Sequence, residues 1–445
     1  MRPYLAAAFL ALFGIVPASA AIQAGVARVD ITPEESIWLA GFASRTHRSE
    51  GVRMHIFAKA LALRDEHGST VVLVTSDLLG FTGALSDDIA ARVQKQFDIS
   101  RDRLAFNASH THSAPVLENA LHPTYPLQPE DETLIHRYTE RTRDQVVDLI
   151  GRALADLAPA QITFDQGLAG VAVNRRRTGH RNYPGPVDQD VPVLAIRTPA
   201  GALRAIVFGY SCHNTVLSDY QVSGDWAGYA EEQLEKDNPG SLALYVQGCG
   251  ADANPLPRGA AEFAVTYGRT IAQATQEVLK GKMKPLDGNI KATWALIDLP
   301  FQKPNRADYE AKLKDPLGMN QRYAQLMLKK LDSGEGLPDH HSYPIQAWQL
   351  GNLTFLTLGG EVVVDYALRF RREYGFDNLW VAGYTNDVFA YIPTVRVLKE
   401  GGYEGGGAMV PYGQPAPFTP EVEERIAKKV DDLIKQCRGA AEKTN

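Results

Sequence analysis

Ser109-His110-Thr111-His112-Ser113 places two histidines two residues apart, directly after the apolar run Leu104–Ala108. Residues at that spacing on extended chain project to the same side, so both imidazoles can face one cleft. Neutral imidazole suits Zn²⁺, and a His-x-His pair at a strand end is a ready way to present it. With only 11 histidines in the chain, such a pair points to metal over a surface loop that happens to hold two. Other candidates stand alone: His213 in Tyr210-Ser211-Cys212-His213-Asn214-Thr215, Asp225 in Ser223-Gly224-Asp225-Trp226, and Glu361 after Leu358-Gly359-Gly360. Taken singly, each has a plainer explanation: a hydrogen-bonded core histidine, a helix cap, and a carboxylate favoured by a helix dipole. Cys212 and Cys249 each end a predicted strand and could pair if those strands are neighbours; sequence does not establish the geometry, and Cys437 is left over.

The elements that must position these residues alternate between apolar runs and helical stripes. Val71–Thr75 reads as a buried strand, and Ile89, Val93 and Phe97 recur every four residues on a helix opening near Ser86-Asp87-Asp88. Leu104–Ala108, Leu203–Ser211, Leu242–Gln247, Leu353–Leu358 and Leu379–Gly383 are further strands. Thr133–Leu157 and the stretch around Tyr229–Leu234 are helical. Asn289–Pro300 reads as a strand and Asp308–Gly334 as one long helix outside the simplest repeat, while Thr419-Pro420-Glu421 opens the last helix. This alternation predicts an α/β fold, a layered mixed-sheet domain with helices on the faces and its site at strand ends. No internal repeat or clean boundary is visible, so residues 21–445 are expected to form one domain. Gly401–Gly407 reads as a mobile loop.

The net charge of 46 − 52 = −6, with no Lys/Arg-rich run, excludes a nucleic-acid binder held by a basic surface. Met1-Arg2, the apolar stretch Leu5 to Val16 and the small-x-small Ala18-Ser19-Ala20 read as a signal peptide over residues 1–20. The mature chain is thus expected in the periplasm or outside the cell. No stretch is long enough for a transmembrane span, which leaves only transient contact with a membrane surface.

Read in order, the segments resemble the neutral/alkaline non-lysosomal ceramidase family. Gly25-Val26-Ala27-Arg28-Val29-Asp30-Ile31-Thr32-Pro33 and Leu39-Ala40-Gly41-Phe42 look like its opening, and Ser109 to Pro115 is close to its THTHSGP segment. Val173-Asn174-Arg175, Ser223-Gly224-Asp225 with Gly228-Tyr229-Ala230, Gly360-Glu361, Tyr384-Thr385-Asn386, Tyr391-Ile392-Pro393-Thr394 and Tyr403-Glu404-Gly405-Gly406 follow in family order. The resemblance implies a zinc ion held by His110, His213, Glu361 and Tyr391, with His112 orienting substrate or a ligand. It further implies Arg175 and Tyr403 as donors to a carbonyl oxygen.

Two departures shape the expectation. Where the family carries a serine implicated in catalysis, Gly250-Ala251-Asp252-Ala253-Asn254-Pro255 has Asn254, whose amide cannot readily relay a proton. Asp252, Asp225 and His112 are then the candidate proton acceptors. The family's C-terminal immunoglobulin-like domain has no expected counterpart after the last helix. The implied activity is zinc-dependent hydrolysis of a C–N bond in a small-molecule or lipid amide by metal-activated water. Alternatives are an esterase using the same site and a metal-containing binding protein without turnover.

Overall fold

The computed structural model describes residues 22–177 and 184–439; the expected signal peptide at 1–20 lies outside them. Strands β1 (Gln23–Asp30), β2 (Phe57–Arg64) and β3 (Thr70–Ser76) form an antiparallel meander. Helix α1 (Gly83–Phe97) then crosses to β4 (Leu104–Ala108), which pairs parallel to β3. The Thr82 side chain accepts from Leu85 N–H and caps α1, three residues before the expected start. Helix α2 (Pro129–Ala155) covers the outer face.

The same topology recurs twice. Strands β5 (Gln161–Leu168), β6 (Asp190–Arg197) and β7 (Leu203–Tyr210) form a meander, α3 (Asp225–Asp237) crosses to the parallel β8 (Leu242–Gln247), and α4 (Ala261–Lys280) packs outside. In the third module β9 (Ile290–Pro300) is followed by two helices, α5 (Arg306–Lys312) and α6 (Gly318–Asp332), where the sequence predicts a single one. Strands β10 (His340–Leu350) and β11 (Leu353–Leu358), crossover α7 (Val364–Tyr374), parallel β12 (Leu379–Ala382) and outer helix α8 (Val422–Arg438) complete it. This threefold repeat of topology corrects the expectation of no internal repeat. It is invisible in sequence because the modules share strand pairing and not residue types.

The unbroken apolar strands have a simple origin: both faces are covered. In β3, Val72 and Val74 point to α1 and α2, while Val71 and Leu73 enter a core shared by all three sheets. In β7, Ile206 and Phe208 face α3 and α4, and Val207 joins the shared core; in β11, Phe355 does so. The parallel strands β4, β8 and β12 stand at the sheet edges and meet one another through bridges Asn107↔Thr385 and Gly248↔Ala382. Exposed edges would invite pairing with other chains; here they are buried against each other. Asn107 Nδ2 donates to the Gly383 carbonyl (2.8 Å), and Asn107 Oδ1 accepts from Gln247 N–H (2.8 Å). The strand ends that carry the site are fixed from the centre of the molecule.

The open question of a Cys212–Cys249 pair is answered by two buried free thiols, and two local expectations are corrected. The last helix begins at Val422, and the Thr419 hydroxyl is buried without a partner, so it does not cap. The loop 401–407 is a set of turns tied down through Glu404, which takes hydrogen bonds from Arg175 and Arg176 (both 2.6 Å).

Candidate metal centre

His110 follows β4 in the left-handed region (φ 62°), a conformation costing about 1–3 kcal/mol in a non-glycine residue. It is held there by backbone bonds on both sides, His110 N–H to the Leu78 carbonyl (2.9 Å) and Ser109 N–H to Ser76 (2.8 Å). His110 Nδ1 donates to the Leu79 carbonyl (2.6 Å) and His213 Nδ1 to the Gly250 carbonyl (2.8 Å). A carbonyl only accepts, so Nδ1 carries a proton in each ring and both Nε2 atoms face inward. Each Nε2 meets Glu361 Oε2, at 3.1 Å from His110 and 3.0 Å from His213. Tyr391 stands beside Glu361 as its register partner in a two-residue parallel ladder, with its hydroxyl 3.2 Å from His213 Nε2. The expected quartet His110, His213, Glu361 and Tyr391 therefore converges from all three modules.

His112 belongs to the same cluster. Its Nε2 lies 3.2 Å from His110 Nε2, and ligand atoms of His110, His112 and His213 all lie within 4.8 Å of one another. Gly41 makes room for the ring: a Cβ at that position (φ +97°) would stand 2.3 Å from His112 Cγ and Nδ1. The glycine of the opening segment is thereby explained as a site residue.

The electrostatics follow from burial. Desolvation pushes His213 down to about 4, reinforced by Arg175, and drives His112 well below the usual imidazole range beside His110 and His213. Burial would raise the Glu361 carboxyl, but the two facing imidazoles win and hold it well below the normal carboxylate range. Two buried imidazole nitrogens thus share one buried carboxylate oxygen. A cation at that point would take all three as ligands, and the donor set of imidazole, carboxylate and phenol suits a divalent ion. The residues fit a metal.

The other expected residues divide. Tyr403 lines the cavity over the cluster, its ring edge-on to Tyr391 with centroids 5.3 Å apart. Arg175 comes from behind, donating from Nη2 to the Tyr391 hydroxyl (3.0 Å) while Nε is held by Glu404. Asp252 and Asp225 do not line that cavity. Asp252 accepts from Val364 N–H at the start of α7 (2.9 Å) and from Asn174 Nδ2 (3.0 Å). Asp225 accepts from Leu217 N–H (2.8 Å) and Trp226 N–H (2.6 Å). Both carboxylates are occupied with main-chain donors, which is what organises the loops around His213. Asn254 is buried outside the lining with Oδ1 lacking a partner.

Sequence reasoning missed two residues. Tyr412 donates to Glu361 Oε1 (2.6 Å), and Tyr384 reaches Glu361 Oε2 (3.4 Å). Tyr384 lies within a quoted segment without an assigned role; Tyr412 carries no sequence signal, since a lone tyrosine in a turn is ordinary.

Fold and site together define a mixed α/β protein built around a histidine cluster able to hold a metal ion. Residues 22–248 match the family described as neutral/alkaline non-lysosomal ceramidase, N-terminal. The chain belongs to that family. It is 28% identical to the neutral ceramidase of Drosophila pseudoobscura pseudoobscura over 257 residues, 53% of this chain and 35% of the fly protein. The alignment thus spans about a third of that relative's length. With the neutral ceramidase of Mycobacterium tuberculosis the identity is 21% over 483 aligned positions, covering 87% of this chain and 74% of the relative. The crystal structure of neutral ceramidase from Pseudomonas aeruginosa shares the fold, with TM-score 0.75 and 19% identity, over 94% of this chain and 75% of the other. Among the described residues no helix is long and apolar enough to cross a membrane.

Proposed function

We propose that this protein is an exported zinc-dependent hydrolase that cleaves the C–N bond of an N-acyl amide of the ceramide type. The carrying observation is the convergence of the His110 and His213 Nε2 atoms on Glu361 Oε2 with both Nδ1 protons committed to carbonyls. In this reading His110, His213, Glu361 and Tyr391 hold the zinc, which when bound polarises a carbonyl and makes water acidic enough to attack near neutral pH. Tyr403, on the cavity wall, donates to the carbonyl oxygen as negative charge grows on it. Arg175 steadies the Tyr391 hydroxyl and places a positive charge behind it. His112, neutral through burial and with Nε2 beside His110 in the cluster, takes the proton from water and returns it to the departing amine. The products are a carboxylic acid and an amine. Asn254 in the serine position removes a hydroxyl from the machinery and leaves water as the nucleophile.

Metal analysis of the purified protein should find about one zinc per chain. His110→Ala and His213→Ala should each lose it; retention by both variants would overturn the ligand assignment. Matched N-acyl amides and esters then separate amidase from esterase. Zinc present with neither class cleaved would favour a binding protein. Export is tested by the start of the chain recovered outside the cytoplasm, expected at Ala21.

A further inference from the structure

The cavity above the histidine cluster is small. Its volume is about 160 Å³, room for roughly five water-sized groups, and well under the several hundred Å³ of a pocket that swallows a drug-sized molecule. Away from the histidines its wall is apolar, with Phe42, Leu79, Leu121, Met319 and Pro411. A small apolar group attached to the reacting carbonyl fits this space, whereas a long acyl tail would have to extend beyond it.

The wall is also pinned. Met319 comes from α6, part of the helix pair added between β9 and β10 of the third module. Arg322 on α6 donates to the carbonyls of Pro123 (3.0 Å) and Thr124 (2.7 Å), in the loop that supplies Leu121. Tyr323 donates to the Gln414 carbonyl (2.8 Å) and Tyr309 on α5 to the Pro415 carbonyl (2.6 Å), just beyond Pro411. A long chain would have to break this lacing of buried and part-buried hydrogen bonds to lengthen the cavity, and each costs free energy to leave unmade.

We propose that the α5–α6 pair closes the cavity and restricts this enzyme to amides of short acyl groups, with Met319 as the specificity-determining residue. The inference rests on the amidase reading above for its chemistry, but cavity length can be read without turnover. An acetyl, butyryl, octanoyl and palmitoyl series of one aromatic amide should show kcat/KM highest at the short end and at least about tenfold lower for palmitoyl. Calorimetric titration with the matching unreactive ketones should show the same order in affinity. Met319→Ala, a half-buried position, should raise kcat/KM and affinity for octanoyl relative to acetyl, with melting temperature and zinc content nearly unchanged.

Each outcome bears on the proposal. Cleavage that rises steadily to palmitoyl overturns it while sparing the amidase reading. Short-chain binding without cleavage upholds it and removes the amidase reading. Absence of both binding and cleavage across the series overturns both. An unaltered chain-length profile in Met319→Ala, repeated in Leu121→Ala, overturns the assignment of the wall.

Discussion

Glu361 Oε1 accepts from the Tyr412 hydroxyl at 2.6 Å while its other oxygen faces His110 and His213. One carboxylate oxygen is thus anchored by a phenol at short range and the other is turned to the histidine cluster, with Tyr384 at 3.4 Å. Orientation of a ligand by such an outer partner is worth about 10–100-fold in metal affinity. Tyr412→Phe should weaken zinc retention by that factor in competition with a chelator, with little change in melting temperature of the metal-free protein. Equal zinc retention in variant and wild type would mean that the ladder with Tyr391 and the Tyr384 contact suffice to orient Glu361.

Gly41 backs the ring of His112 so closely that any side chain displaces it. Gly41→Ala also forces a methyl-bearing residue into a positive φ, at a cost of about 1–3 kcal/mol. The expected result is a lower melting temperature together with a fall in kcat, because His112 moves. A variant that melts early but keeps full kcat in its folded fraction would show that His112 has no part in the reaction.

Arg175 is gripped by Glu404 and points at Tyr391. Lysine would keep the charge and lose the fork that spans both partners. Arg175→Lys should lower kcat about tenfold to hundredfold with zinc content unchanged, and Glu404→Gln should produce a smaller loss of the same kind. Loss of zinc in Arg175→Lys would instead place the arginine among the groups that hold Tyr391 in position for the metal.

Asp225 is buried, and desolvation, only partly offset by the Leu217 and Trp226 N–H groups, pushes it from 3.8 up to about 6. A carboxyl whose pKa is raised on folding stabilises the fold fully below the unfolded pKa and loses that contribution as pH climbs through the folded one. Between pH 3.8 and about 6 wild type should therefore lose on the order of 2–3 kcal/mol from this group. Asp225→Asn should lack that decline, so the stability gap between the two proteins shrinks across this window in urea titrations. A constant gap would place the Asp225 pKa at its ordinary value.

A second buried charge ties two modules together. Lys59 on β2 donates to the Ala243 carbonyl on β8 (2.7 Å) and pairs with Glu231 on α3 (3.1 Å). Lys59→Met should cost about 3–5 kcal/mol because it leaves Glu231 buried without its cation, whereas Lys59→Met with Glu231→Leu should recover much of that loss. Chemical denaturation of the three proteins measures the difference.

Sequence alone marked β3, β4, β7, β8, β9, β11 and β12 and helices α1, α2 and α3, because unbroken apolar runs and four-residue stripes are local consequences of burial; it passed over β1, β2, β5, β6, β10 and α4 and merged α5 with α6. It also marked His110 and His112, two residues apart, and through ordered family segments the distant His213, Glu361, Tyr391, Arg175 and Tyr403. What it left undetermined depends on contacts between modules. The threefold topology arises from strand pairing, which many residue types satisfy. The tautomers of His110 and His213 are set by carbonyls of Leu79 and Gly250, and main chain carries no sequence signature. Asp225 and Asp252 read as proton carriers until the backbone donors that occupy them are seen. The size of the cavity was decided last, by where α6 lies against the loop at Pro123 and Thr124, because volume belongs to the space between elements and to no segment of the chain.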